Sequence, residues 1–240
     1  MRYFIFLLLI AFTGCKPEYT AQQIVDLSIN KSGLEKLNTA EISFDFRGKN
    51  YKANRNNGSY EYTKVWKQDS IVIKDVLSNL GFKRFINDSL VNLSDKDVKR
   101  YANSVNSVHY FSILPLGLND KAVNKKLLPS IVIKGKTYYK VQVTFNQEGG
   151  GDDFDDVFLY WFNTETFKLE YLAYKYHTNG GGVRFRDVKK EHLISGVRLV
   201  DYNNYKPKEN TINFLDIDKI YEEGNLKKVS EIVLENINIK

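Results

Sequence analysis

The sequence predicts an α+β protein, mainly antiparallel β: a strongly curved sheet or half-open barrel with helices on its concave side. Three observations lead there. Short apolar–polar alternations recur from Ala40 to the C-terminus, separated by tight turn signals such as Asn57-Gly58, Gly135-Lys136 and Ser195-Gly196, so successive strands pair antiparallel. Helical periodicity is concentrated after Thr20 and after Ser94. The run Val157 to Phe162 is apolar on both faces, with Val157, Leu159 and Trp161 on one and Phe158, Tyr160 and Phe162 on the other, so both sides of that strand need cover.

The elements follow in chain order. Arg2 and the apolar run Tyr3 to Phe12, followed by Thr13-Gly14-Cys15, form a lipoprotein signal pattern, too short to span a bilayer that needs about 20 residues. Residues 1–14 are expected to be the signal peptide, Cys15 the lipidated residue, 15–19 a tether and 20–240 a single domain. A multiply acylated cysteine holds a chain at a membrane, since each buried methylene contributes about 0.8 kcal/mol. Thr20 with Gln23 forms a capping box, and Ile24, Leu27, Leu34 and Leu37 mark an apolar stripe in one or two helical segments near Gly33. Ile42, Phe44 and Phe46 then alternate with polar residues as in a half-buried strand. Asn57-Gly58 turns Tyr51–Arg55 into Ser59–Trp66, and Asn87-Asp88 turns Phe82–Ile86 into Val91–Leu93.

Ser94 opens a second helix through Val98, Tyr101, Val105 and Val108 toward Leu114, where Pro115 and Gly117 break it. Asp120 is expected to cap a further short helix to Leu128. Beyond it the chain reads as a meander: Ile131–Ile133 into Tyr139–Phe145, Val157–Phe162 into Phe167–Tyr176, and Val183–Leu193 into Val197–Tyr205. A short helix at Asp216–Glu223 and a final strand within Glu231–Ile239 close it. The total is roughly ten strands, at the spacing expected of an all-antiparallel sheet.

Charge narrows the partners. The net charge of +6 is scattered and interrupted by acidic residues, with no recognition motif, so nucleic acid is not an expected partner. The lone cysteine leaves no disulfide, and stability rests on packing.

The signal pattern, the helix Thr20 to Gly33, the half-barrel alternation, the hairpin Trp161-Phe162-Asn163-Thr164-Glu165-Thr166 and the return strand Ser195-Gly196-Val197-Arg198-Leu199 resemble the LolA/LolB-like superfamily of lipoprotein-sorting and lipid-binding proteins. The strings Asn103 to Phe111, Gln147 to Gly151 and Tyr176 to Gly182 resemble a group of Bacteroidota lipoproteins with a domain of unknown function. The resemblance implies an incomplete antiparallel barrel with a helical lid, tethered at the outer membrane on its periplasmic or cell-surface face.

Two constellations could carry function. Strand directions bring the loops 148–156 and 177–182 to one rim, collecting Glu148, Asp152, Asp153, Asp155, Asp156 and His177, with Arg184 and Arg186 just below. The four aspartates are candidate oxygen ligands for Ca²⁺, although no cofactor is required, and the carboxylates equally serve to keep the loop soluble. Glu148, His177 and Arg186 are the candidates for acid–base chemistry in an envelope hydrolase or metal-dependent enzyme. The other constellation is His109, Tyr110 and Phe111 with the broken segment 114–118, a lid over an apolar pocket that Trp161 would also line. Simple core packing explains the same residues. The expected function is an anchored lipoprotein holding a lipid or other apolar ligand. The alternatives are the enzyme above and a glycan or protein interaction module presenting Tyr60, Tyr62 or Trp66 on an exposed face. No serine-elbow, zinc-protease or phosphate-loop motif is present, and nothing in the sequence requires an enzyme.

Overall fold

A computed structural model describes residues 18–149, 151, 154–177, 180–209 and 211–240. The signal peptide, Cys15, the first tether residues, Asp152 and Asp153 lie outside the described residues. Helix α1 (Ala21–Lys31) starts where the capping box demands, with the Gln23 N–H donating to Thr20 Oγ1 at 3.2 Å and the Thr20 N–H donating to Gln23 Oε1 at 2.9 Å. It buries Ile24, Val25 and Ile29.

Six strands follow in a meander: β1 (Glu41–Phe46), β2 (Lys49–Asn56), β3 (Ser59–Gln68), β4 (Ile71–Ser78), β5 (Gly81–Ile86) and β6 (Ser89–Leu90). Helix α2 (Asp95–Ser112) is capped by Ser94 and carries Asp95 and Asp97 in its first turn, where carboxylates suit the helix dipole. A second meander comprises β7 (Val123–Ile133), β8 (Lys136–Phe145), β9 (Val157–Asn163), β10 (Leu169–Tyr176), β11 (Gly182–Ile194) and β12 (Val197–Pro207). Helix α3 (Ile217–Glu222) precedes β13 (Leu226–Ile232) and β14 (Glu235–Ile239). The strands form two seven-stranded antiparallel sheets, ordered β14-β1-β2-β3-β4-β5-β6 and β13-β12-β11-β10-β9-β8-β7. Neither sheet closes, and the chain passes from one to the other between β13 and β14.

One core joins α1, the inner faces of both sheets and the residues just after α2: Ile24, Leu37, Ile42, Phe44, Leu118, Val141, Tyr160 and Val197 all belong to it. A second cluster covers the opposite face of the second sheet, where Leu159, Trp161, Tyr171 and Phe185 pack against Ile217 and Tyr221 of α3. Strand β9 is thus apolar on both faces because it is covered on both faces.

Helix α2 is pinned to the first sheet by buried polar pairs. Asp75 of β4 is fully buried and accepts Arg84 Nε at 2.6 Å and Nη2 at 2.8 Å, a bidentate pair, while the same guanidinium lies 3.4 Å from the centre of the Tyr101 ring. Lys64 donates to Ser104 Oγ at 2.9 Å. These groups are satisfied across the interface, whereas Nδ1 of His109 on the same helix has no hydrogen-bond partner.

Three expectations are corrected. Residues 120–128 form no helix: a turn at Asp120 leads into β7, whose ladder with β8 runs from Val123 opposite Phe145 to Ile133 opposite Lys136. A helix there would leave the outer edge of β8 without partners, which costs more than the helical preference returns. The single strand expected within 231–239 is two strands on different sheets. The strand expected at Val91–Leu93 is the short β6, ending at Leu90.

Candidate functional site

A cavity of about 690 Å³ lies between the C-terminal half of α2 and the inner face of the second sheet. Its wall takes Val108, Tyr110 and Phe111 from α2, Phe145 from β8, Phe158 from β9, Tyr174 and Tyr176 from β10, and Val200 and Tyr202 from β12. Phe46 and Arg47, at the β1–β2 turn, reach it from the first sheet. Phe158 is the hub of its aromatic lining, with ring centres 5.6 Å from Phe145, 5.6 Å from Tyr174 and 6.3 Å from Phe111.

Helix geometry divides the predicted lid residues. Consecutive helical residues point about 100° apart, so His109, Tyr110 and Phe111 cannot share a direction. Tyr110 and Phe111 face the cavity. His109 does not line it: fully buried, it turns to the first sheet, where Nε2 lies 3.3 Å from the Thr63 carbonyl and the ring stacks on Tyr62 at 4.6 Å. Burial pushes its pKa down to about 3, so the imidazole is neutral, and the tautomer is set by Nε2–H donating to Thr63. Tyr110 and Tyr160 hydroxyls meet at 3.2 Å, and burial holds both phenols well above their ordinary range.

Trp161 does not line the cavity either. It lies on the other face of β9, donating Nε1–H to Asp218 at 3.0 Å, while Lys140 pairs with the same carboxylate at 2.6 Å. The neighbouring Phe158 and Tyr160 take the inner face. Tyr62 packs on His109, and Trp66, like Tyr62 half-buried, has the Lys49 and Lys64 ammonium groups within 5.0 Å of its ring centre.

The glycine-bearing loops reach the same cavity: Gly149, Gly151, Asp156, Arg184 and Arg186 all line it. At that margin the donor atoms of Asp155, Asp156 and His177 lie within 4.8 Å of one another. Asp156 is buried, and its Oδ1 accepts the His177 backbone N–H at 3.3 Å. A histidine nitrogen with two carboxylates is a donor set closer to Zn²⁺ than to the all-oxygen shell of Ca²⁺. Glu148 is exposed and is not one of these three. Arg186 sits deeper, 7% exposed, with its guanidinium 4.2 Å from the Phe111 ring centre and Nη2 donating to the Tyr174 hydroxyl at 2.9 Å.

Arg47, Tyr202 and Asn204 are cavity residues that pattern reading passed over. For Asn204 a partial signal existed. Counting outward from the Ser195-Gly196 turn leads to the partner of Arg186, but a bulge between Val188 and Lys190 shifts the register by one and makes that partner Asn204.

A family model of unknown function, DUF6503, matches residues 1–235. The chain belongs to the DUF6503 family. No curated protein matches it. Among solved structures, the chain is similar to a LolA superfamily protein from Nitrosomonas europaea at 12% identity, covering 93% of this chain and 92% of that one, with a TM-score of 0.49. A domain named for outer membrane lipoprotein sorting, from Vibrio parahaemolyticus, shares 5% identity over 92% of this chain and 93% of that one, with a TM-score of 0.48. A DUF1329 family protein from Desulfovibrio piger shares 10% identity over 92% and 91%, with a TM-score of 0.43. At such identities and scores, none of the three says what a DUF6503 chain binds.

Proposed function

We propose that this protein is a lipid-anchored, non-enzymatic lipoprotein of the outer membrane that holds a lipid or other apolar ligand between its two sheets. The observation that carries the reading is the cavity of about 690 Å³ beside α2, a volume within the range of about 300–1,000 Å³ typical of small-molecule sites. Its aromatic and aliphatic wall gains free energy by removing a ligand's apolar surface from water, at roughly 25 cal/mol per Å². The pinned helix supports a preformed site, because Arg84, Tyr101 and Ser104 already hold α2 in place.

Anchoring rests on the Gly14-Cys15 signal pattern. Among the described residues no helix is long and apolar enough to cross a membrane, so an acyl anchor would supply the attachment. The test follows the full chain in its own cells. Wild type should incorporate labelled palmitate, fractionate with the outer membrane and release lipid on solvent extraction, whereas Cys15→Ser should be unlabelled and leave the membrane fraction. An unlabelled, soluble wild type would contradict the anchor; a labelled protein that releases no bound lipid beyond its own acyl groups would contradict the ligand.

A further inference from the structure

The cavity carries a cation that an apolar binding role does not explain. Arg186 is 7% exposed and lines the wall, yet its Nε has no hydrogen-bond partner and no carboxylate pairs with it among the described residues. The Tyr174 hydroxyl and the Phe111 and Tyr174 rings are its partners, and none carries a neutralising charge. Burying a guanidinium without a counter-ion is costly, and folded proteins otherwise pair such groups. Two carboxylates do line the cavity, but Asp156 accepts the His177 backbone N–H, Asp120 has Lys125 as its neighbouring charge, and no ion pair joins either to Arg186 among the described residues. Asn204, opposite Arg186 in register, adds a buried Oδ1 that also lacks a partner.

The stacking defines what remains available. With Phe111 against the guanidinium and Nη2 donating to the Tyr174 hydroxyl, Nη1 remains for a ligand, and guanidinium N–H donors match the oxygens of a carboxylate or a phosphate. We propose that the ligand is an anionic amphiphile whose carboxylate or phosphate oxygens are received by Arg186 while its chain lies against Phe111, Phe145 and Phe158. This inference rests on the ligand-holding reading above and adds the chemical class of the ligand. Arg47 and Arg184, both on the wall, reinforce the positive field around the head.

Displacement of the neutral probe N-phenyl-1-naphthylamine from the purified full chain tests it, with hexadecanol, hexadecanoate and hexadecyl phosphate as competitors. Wild type should bind at least one of the two anions about tenfold or more tightly than hexadecanol, as a charge-assisted hydrogen bond supplies. Whichever anion wins identifies the headgroup. Arg186→Met should bring anion and alcohol within about threefold of each other, and Arg186→Lys, which keeps the charge without the guanidinium, should fall between. Melting curves of both variants establish folding, and the lysine variant decides the matter if the methionine variant does not fold. A folded variant that keeps the wild-type preference overturns the assignment of Arg186, as does a wild type that binds all three competitors equally. If neither the probe nor any competitor binds wild type, the ligand-holding reading itself fails.

Discussion

His109, Tyr110 and Phe111 are adjacent in sequence and differ completely in environment. The motif was legible, and Tyr110 and Phe111 line the cavity, but the 100° step of the helix carries His109 away to the Thr63 carbonyl. Trp161 shows the same limit on a strand. Alternation separates it from Phe158 and Tyr160, yet with both faces of β9 apolar, nothing local says which face is inner. His109 also carries a pH consequence. An imidazole in the unfolded chain takes up a proton near pH 6.5, whereas in the folded chain burial depresses the value to about 3. Between those values the unfolded state binds more protons, so this contribution to stability is complete above about pH 6.5 and is lost as pH falls, by at most about 1.4 kcal/mol per unit. Urea unfolding at pH 7.5 and 5.5 should show wild type losing more stability than His109→Gln, which retains a donor for Thr63 without titrating. Equal losses in the two proteins would show that His109 is not held neutral by the fold.

Among elements, hairpins were the most legible. Asn57-Gly58 and Ser195-Gly196 have positive φ at both central positions, 47° and 96° in the first, 52° and 73° in the second, which is the twist that two-residue hairpins require. The strand β4 and its turn at Asp69 went unread, because Asp69-Ser70 has neither the asparagine nor the glycine found in the other turns. The contact between α1 and the β11–β12 hairpin was equally invisible. There Gly33, at φ 64°, ends α1, and an added Cβ would stand 2.1 Å from the Gly196 carbonyl oxygen. The Arg198 N–H donates to the Ser32 carbonyl at 2.8 Å beside it, so the backbones are already in register. Gly33→Ala should therefore destabilise by more than the roughly 1–2 kcal/mol of the left-handed conformation alone, since the hairpin must also retreat. Thermal unfolding checks this: the melting temperature should drop by several degrees, and an unchanged value would mean that α1 and the hairpin are not in contact.

At the scale of the molecule, the sequence carried the antiparallel class and the meeting of the two glycine-bearing loops, because strand direction alone decides which loops share an end. It did not carry the division into two sheets, which depends on the chain crossing between β13 and β14 at Leu234, where the buried backbone N–H donates to Asp201 at 2.9 Å. Nor did it reveal that lid and rim border one space. That space exists only because α2 is fixed to the first sheet by Asp75, Arg84 and Lys64 while its other face looks across at Phe158 and Tyr174. The cavity as the seat of ligand binding is the central claim, and filling it is the most direct test. Val108→Trp places an indole in the space from a position already on its wall, and Ala122→Phe does so from the turn just before β7. Binding of N-phenyl-1-naphthylamine to the full chain should fall about tenfold or more in the folded variants while the melting temperature holds within a few degrees, since filling a void does not create a new one. Probe binding that persists at wild-type strength in both folded variants would place the ligand elsewhere and contradict the account.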